Sequence, residues 1–335
     1  MPLDVNVTSA GEGLRSIPLV EIGAAGAPGL AEAAPDLLAE IVGMARGRYG
    51  RLALGVGDAV ARRWLENADN PYLDEIGAVA DHLGQPGAYM LNLSYEWSCT
   101  TGVGPDPSGE GSRLLRTLDW PLDGLGRTLM VARQRGAVGD FYNISWPGFS
   151  GITTALAPGR FGAALNQPPA RSTYPLMAID WVVNRVGVWR HRGLPPTHLL
   201  RRVFDQCRDY AEAKEMLCGT PLCLPVFFIL SGMGPGEGCV IERLEESAKV
   251  REAPASAANH WLAQRVPGRP RGQDSIGRWR LMEERRDSQP DDFSWVVPPI
   301  RNYATRVAAI LNAARGRLLV QGWESSGPVT RVFRL

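Results

Sequence analysis

The sequence predicts an α+β protein of stacked sheet and helix layers, with a helical region at its N-terminal end. Three observations carry this reading. Residues from about 30 to 84 place apolar side chains at helical spacing. After Gln85-Pro86-Gly87 the chain breaks into short β-rich runs parted by Gly, Pro and Asp turns. Helical stretches then return, followed by a closing set of strands; strands, helices and strands in that order argue against a βαβ parallel sheet.

The N-terminal helices are PDLLAEIVGMA, RLALGVGDAVARRWLENA and DEIGAVADHLG, the last ending at Gly84 as a C-cap. AYMLNLSYEW, CTTGVG, RLLRTLDW, RTLMVARQR and DFYNISWP read as the first strands. PDPSGEGS has hairpin composition; a phosphate-cradling loop would need a helix directly after it, and a strand follows. LMAIDWVVNRVGVWR, PPTHLLRRVFDQ and DYAEAKEMLCG read as helices, and PVFFILSG and GCVIERL as a hairpin about Met233–Glu237. A short helix at DSIGRWRLMEERR precedes the strands TRVAAILNA, GRLLVQGW and VTRVFRL.

With 335 residues the chain can bury a large core. A net charge of +1 removes the electrostatic case for nucleic acid or an anionic membrane. The longest apolar run falls short of the roughly 18 residues of a membrane span. The opening MPLDVNVTSAGEGLRS lacks a basic segment followed by an apolar run, so a cytoplasmic location is expected. The cysteines, at 99, 207, 218, 223 and 239, are odd in number. No pair has the two-residue knuckle spacing of a zinc site, and neither metal nor organic cofactor is expected.

One segment carries chemistry. Alone, Cys99 is a small residue at the start of a strand, Arg116 and Asp119 read as a surface ion pair, Asn259 as a loop side chain bonded to its own backbone, and Arg278 as an exposed helix arginine. Together, Tyr95-Glu96, Cys99-Thr100-Thr101 and Arg116-Thr117-Leu118-Asp119 resemble the acid ceramidase and N-acylethanolamine acid amidase family, within the choloylglycine hydrolase and penicillin V acylase group of N-terminal-nucleophile hydrolases. WPGFSGITTALAPGRFGAALNQ, FFILSGMGPGEGCVIER, Ala258-Asn259-His260 and Asp274-Ser275 with Arg278 continue the resemblance in register, over about residues 85 to 335.

The resemblance implies a four-layer αββα sandwich and self-cleavage between Ser98 and Cys99. Residues 1–98 would be a helical propeptide or α subunit and 99–335 the catalytic region. Cys99 would be the nucleophile and its freed α-amine the base, with a reference pKa of roughly 7.7–8.0. By matching, Asp119 holds that amine, Arg116 orients the cysteine, Asn259 donates to the oxyanion and Arg278 is a second cation. Strict strand alternation sets residues 116 and 119 on opposite faces unless the strand bends, bulges or ends there. His260 beside Asn259 suggests a papain-type Cys–His pair, but no papain-like sequence surrounds Cys99. Trp120, Tyr142, Trp146, Phe149 and Asn166 are candidates to contact substrate. Gln167 stands where the family carries a glutamate, so an ionisable group is missing there.

The expected activity is hydrolysis of linear N-acyl amides through an acyl-cysteine. Acyl transfer to an amine on the same scaffold, and an uncleaved, inactive binding protein, stay open beside it. Expected partners are a small-molecule amide, the protein's own cleaved fragment and a second copy of the chain.

Overall fold

The computed structural model describes residues 13–93, 97–171, 193–287 and 290–335. After β1 (Leu19–Gly23), the N-terminal region forms α1 (Gly26–Ala33), α2 (Pro35–Tyr49), α3 (Arg51–Asn67), α4 (Leu73–Leu83) and α5 (Ala88–Asn92). Gly84 ends α4 in the left-handed conformation, with its N–H on Ala80 O, as the C-cap reading expects. Two expectations fail here. AYMLN forms α5, a single helical turn, because it packs against α3 and α4 where a strand has no partner. The region is also not purely helical: β1 joins a sheet in parallel with a strand more than a hundred residues later.

Next come β2 (Ser98–Pro105), β3 (Ser112–Asp119), a 3₁₀ turn (Leu125–Arg127), β4 (Met130–Gly136), β5 (Gly139–Ser145), β6 (Thr154–Ala157), β7 (Phe161–Asn166) and β8 (Ala170–Arg171). The helical reading of 176–190 and the Tyr95-Glu96 pair lie outside the described residues. The chain continues with α6 (Pro196–Gln206), α7 (Tyr210–Gly219), β9 (Val226–Ser231), β10 (Gly238–Arg243), β11 (Ala248–Glu252), β12 (Ala255–Ala257), β13 (Gly268–Arg269) and α8 (Ser275–Arg285). It closes with β14 (Thr305–Asn312), β15 (Arg317–Glu324), β16 (Gly327–Pro328) and β17 (Phe333–Arg334).

The strands build an eight-stranded sheet in the order β1-β4-β5-β6-β7-β9-β10-β11 and a second sheet β12-β2-β3-β14-β15-β16, with β17 on β15. The sheets meet face to face where β2 and β3 cross β7 and β9. Both faces of β3, β7, β9 and β14 are buried; β7, β9 and β14 accordingly carry mostly apolar runs, whereas β3 buries Arg113, Arg116, Thr117 and Asp119 among its leucines. α6 and α7 cover the outer face of the first sheet, and α8 with Trp295, Val296 and Ile300 covers the second. The result is the four-layer αββα sandwich. Among the described residues, no helix is long and apolar enough to cross a membrane.

Buried polar ties fasten the N-terminal helices to this sandwich. Arg201 on α6 donates to both carboxylate oxygens of Glu75 on α4, at 2.6 and 2.7 Å. Beside it runs a neutral chain. Asn70 Oδ1 accepts from Tyr72 N–H, so its Nδ2 faces His198 Nδ1 at 3.0 Å. That leaves His198 Nε2–H to donate to Ser150 Oγ at 2.9 Å, and the Ser150 hydroxyl to donate to Asn92 Oδ1. His198 is fully buried, and desolvation with Arg201 nearby pushes its imidazole down to about 3.

A histidine held neutral makes stability depend on pH in a fixed direction. Between about 3 and the ordinary 6.5 the unfolded chain binds a proton that the folded chain refuses. The contribution is therefore complete above about 6.5 and lost as pH falls, at about 1.4 kcal/mol per unit. The unfolding free energy of wild type minus that of His198→Gln should stay level above about pH 7 and shrink, approaching this slope, as pH falls from about 6.5 to about 4.5. A flat difference in urea titrations would disprove it.

Candidate active site

β2 and β3 are antiparallel neighbours in which Ser98 faces Asp119, Cys99 faces Leu118 and Thr101 faces Arg116. Alternation then divides the strand pair. Cys99, Thr101 and Arg116 point at β7 in the other sheet, whereas Ser98, Thr100 and Asp119 point at α8. Arg116 and Asp119 do lie on opposite faces, as alternation requires. β3 ends at Asp119, and a bulge is present, but in the partner β14, between Thr305 and Val307.

On the first face, Arg116 NH2 donates to Cys99 Sγ at 3.4 Å, and NH1 donates to Leu165 O at 2.7 Å and to Asn166 Oδ1 at 3.1 Å. The thiol itself points at Leu165 O, 3.7 Å away. Asn166 is spent within the protein: its oxygen accepts from Thr101 Oγ1 and Arg116, and its nitrogen donates to Ala257 O and Ala258 O. It ties the sheets together, with both polar atoms of its side chain hydrogen-bonded within the protein.

On the second face, Asp274 caps α8, its Oδ1 accepting from Gly277 N–H at 2.9 Å. This aims Arg278, one turn into the helix, at the backbone of β2. Its NH1 donates to Cys99 O at 2.6 Å and Thr100 Oγ1 at 2.9 Å, and its NH2 to Asn259 Oδ1 at 2.8 Å. Asp119 lies 3.8 Å from Arg278 and accepts from Asn302 Nδ2 and Thr305 Oγ1. Ser98 Oγ donates to the same carboxylate at 3.4 Å. Neither pair member is at the surface: Arg116, Asp119, Asn259 and Arg278 are all 0% exposed.

Burial sets the protonation states. It pushes the Cys99 thiol up to about 11, with Arg116 pulling the other way. It also raises Asp119, opposed by Arg278 and by the Asn302 and Thr305 donors, and lowers both arginines. The thiol is therefore protonated at neutral pH while its nitrogen is still a peptide N–H.

That N–H donates to Asn259 Oδ1 at 3.1 Å, and Asn259 Nδ2 donates to Gln167 O at 2.7 Å. In this intact chain Asn259 therefore turns its oxygen toward Cys99. Gln167 is buried, and its side-chain Nε2 has no partner among the described residues. His260 Nδ1 bonds to Ser275 Oγ and the ring packs edge-on against Trp279; it takes no part in a contact with Cys99. The five cysteines are free thiols.

An apolar pocket begins beside this site. Trp97, two residues before Cys99, packs on Trp120 with ring centroids 5.0 Å apart, and Trp120 meets Trp146 edge-on at 5.9 Å. Trp120, Trp146 and Phe149 form one wall, and α2, α4 and α5 supply the other through Leu38, Val79 and Leu91. About 50 Å³ lies open, a few waters' worth at roughly 10–15 Å³ each. Tyr142 is not in this wall. It lies half-buried on β5, four residues from Trp146, about 13 Å of extended chain.

Several residues of the site carry no sequence signal of their own. Thr101 and Ser275 stand inside the motifs that carry the resemblance, but Asn302 and Thr305 are small polar residues of a kind the chain has in dozens. Gly272 is another. At φ +65°, a Cβ there would sit 2.4 Å from Ser98 Oγ and 3.1 Å from Arg278 NH2.

No protein-family model matches the chain. It is 27% identical over 216 residues to a probable acid ceramidase of Caenorhabditis elegans, covering 58% of this chain and 52% of that one. To the N-acylethanolamine-hydrolyzing acid amidase of Cavia porcellus it is 28% identical over 180 residues, covering 52% and 48%. The chain thus spans about half the length of the curated relatives it matches. Among solved structures, an N-acylethanolamine-hydrolyzing acid amidase ortholog of Caenorhabditis elegans aligns with a TM-score of 0.51 at 18% identity, over 64% of this chain and 93% of that one.

The contact between Gly272 and Ser98 can be isolated by a double-mutant cycle. Gly272→Ala should cost about 1–3 kcal/mol through overpacking and backbone strain. The cost should fall by at least about 0.5 kcal/mol in a Ser98→Gly background, measured by denaturant unfolding of chains that also carry Cys99→Ala. Strict additivity would show that the two residues do not press on each other.

Taken with the αββα layers, these matches make the chain similar in sequence to acid ceramidase and N-acylethanolamine-hydrolyzing acid amidase, and alike in fold to the latter's Caenorhabditis elegans ortholog.

Proposed function

We propose that the protein is an amidohydrolase that breaks its own chain before Cys99 and then uses that cysteine to hydrolyse linear N-acyl amides. The observation that carries this is the division of groups about one peptide bond. The Cys99 thiol is 3.4 Å from Arg116 on one face, while the scissile Ser98 meets Asp119 and Gly272 on the other.

In the first step Sγ attacks the Ser98 carbonyl carbon. The C–N bond breaks, a C–S bond forms, and the thiol proton ends on the Cys99 nitrogen. Water then hydrolyses the thioester, leaving a carboxylate on Ser98 and a free thiol and α-amine on Cys99. That amine, titrating near roughly 7.7–8.0 in water, is a base tethered to its own nucleophile. It removes the need to hold a thiolate in a site where burial raises the thiol.

For an amide substrate, the amine takes the thiol proton, sulfur adds to the carbonyl carbon, and the leaving amine departs with that proton. Water completes the cycle by releasing the acid. Asp119 holds the α-ammonium form and Arg116 fixes the sulfur. Asn259 Nδ2 serves the oxyanion by giving up Gln167 O, and removing one such donor costs about 10²–10³ in rate. The acyl group fits the pocket beyond Trp120, whose lining is apolar and whose one polar residue, Asn92, is already saturated by Ala88, Gly148 and Ser150. Gln167 puts no carboxylate where the resemblance expects a glutamate, so substrate and pH preference need not follow those of the similar proteins.

Intact mass spectrometry of purified protein tests the first step. Wild type should give two pieces joined at 98/99, and Cys99→Ala one. A wild type that stays whole after long incubation, with Cys99 unlabelled by a thiol-reactive electrophile, would refute the proposal. Release of free acid from N-acyl amides should not require an added amine; a rate that rises from zero only with amine would mark an acyltransferase instead.

A further inference from the structure

We propose that the turn Asn302–Thr305 is a clamp that keeps Asp119 a carboxylate facing Ser98, making Asn302 and Thr305 positioning residues of the reaction. This rests on the reading of Cys99 as nucleophile.

The clamp grips both oxygens. Asn302 Nδ2 donates to Oδ2 at 2.8 Å and Thr305 Oγ1 donates to Oδ1 at 2.9 Å, so the carboxyl plane is fixed as well as its place. Neither donor is free to reverse. Asn302 Oδ1 already accepts from Ala304 N–H at 3.0 Å, so only its nitrogen can face Asp119. Thr305 Oγ1 already accepts from Asn302 N–H at 3.0 Å, which sends its own proton to the carboxylate. Thr305 N–H closes the turn on Asn302 O at 3.1 Å.

The turn is in turn fixed from below. Thr305 pairs with Asp119 and Val307 with Leu118, leaving Arg306 as the extra residue of the bulge. Its buried guanidinium is tied to Leu122 O, Tyr303 O and Thr305 O and ion-paired to Asp123 and Glu324. Without the bulge, Thr305 would not be opposite Asp119.

A device is needed because burial favours the neutral acid. The charged or titratable groups facing Asp119 are Arg278 at 3.8 Å, Arg116 across the strand, and the Cys99 thiol. Arg278 is beyond hydrogen-bond range of the carboxylate and spends its donors on Cys99 O, Thr100 and Asn259. Two locked neutral donors favour the ionised form without bringing a second titrating group.

The test is the pH profile of cleavage at 98/99 and of amide hydrolysis in wild type, Thr305→Val, Thr305→Ser and Asn302→Ala. Thermal melts check that each variant folds. Thr305→Val and Asn302→Ala should each move the acid-side midpoint up by about one to two pH units, roughly ten- to a hundred-fold less activity below it. Thr305→Ser should restore the wild-type midpoint. An unmoved midpoint in a folded Thr305→Val or Asn302→Ala, or no rescue by serine, overturns the clamp while the proposed reaction stands. A wild type that neither breaks nor hydrolyses overturns both.

Discussion

Two guanidiniums, a carboxylate and a thiol share a volume from which water is excluded, at the ends of β2 and β3. Arg116, Asp119 and Arg278 have no exposed surface, so each owes its place to fixed protein atoms. Leaving one such charge without its partners costs about 3–5 kcal/mol, a large share of a domain's stability. The surrounding architecture answers that demand. Leu165 O and Asn166 receive Arg116 from one sheet, the cap of α8 delivers Arg278, and a bulge in β14 presents hydroxyl and amide donors to Asp119. The sandwich is thus both a hydrophobic assembly and a support for charges that no single layer could bury.

The same strand pair explains why chemistry can be divided between two faces. Side chains one residue apart on β2 look into different layers, so the sulfur of Cys99 and the side chain of Ser98 meet different partners although their backbones are adjacent. Gly272 stands so close to Ser98 that a Cβ there would have no room. Trp120 belongs to both regions: it follows Asp119 in the chain, packs on Trp97 and lines the apolar pocket.

Much of the fold could be read from the amino-acid pattern, because α2 to α4 show helical periodicity and β9 and β10 flank a glycine-rich turn. Two parts could not. AYMLN has an apolar pattern compatible with either helix or strand, and packing against α3 and α4 decided it. β1 is too short to announce that it pairs with β4 across the helical region. In the site, Cys99, Arg116, Asp119, Asn259 and Arg278 converge, although from the residues alone Cys99 reads as a small buried residue and the other four as surface or loop groups. Asn302 and Thr305 were illegible: an Asn and a Thr in a turn look like any turn until the bulge puts them opposite Asp119. Asn166 was legible as a member of the site but not as one already saturated, since that depends on a carbonyl pair ninety residues away.

β1 runs beside β4, α2, α4 and α5 wall the pocket, and Glu75 and Asn70 tie the same region to α6 through Arg201 and His198. The part of the chain before Cys99 is therefore woven into the part after it. Were the backbone severed before Cys99, what is an intramolecular search would become an encounter between two molecules, and its outcome would depend on dilution. The matured protein would then persist through slow unfolding, not through a recoverable equilibrium, and would be assembled only once in its lifetime.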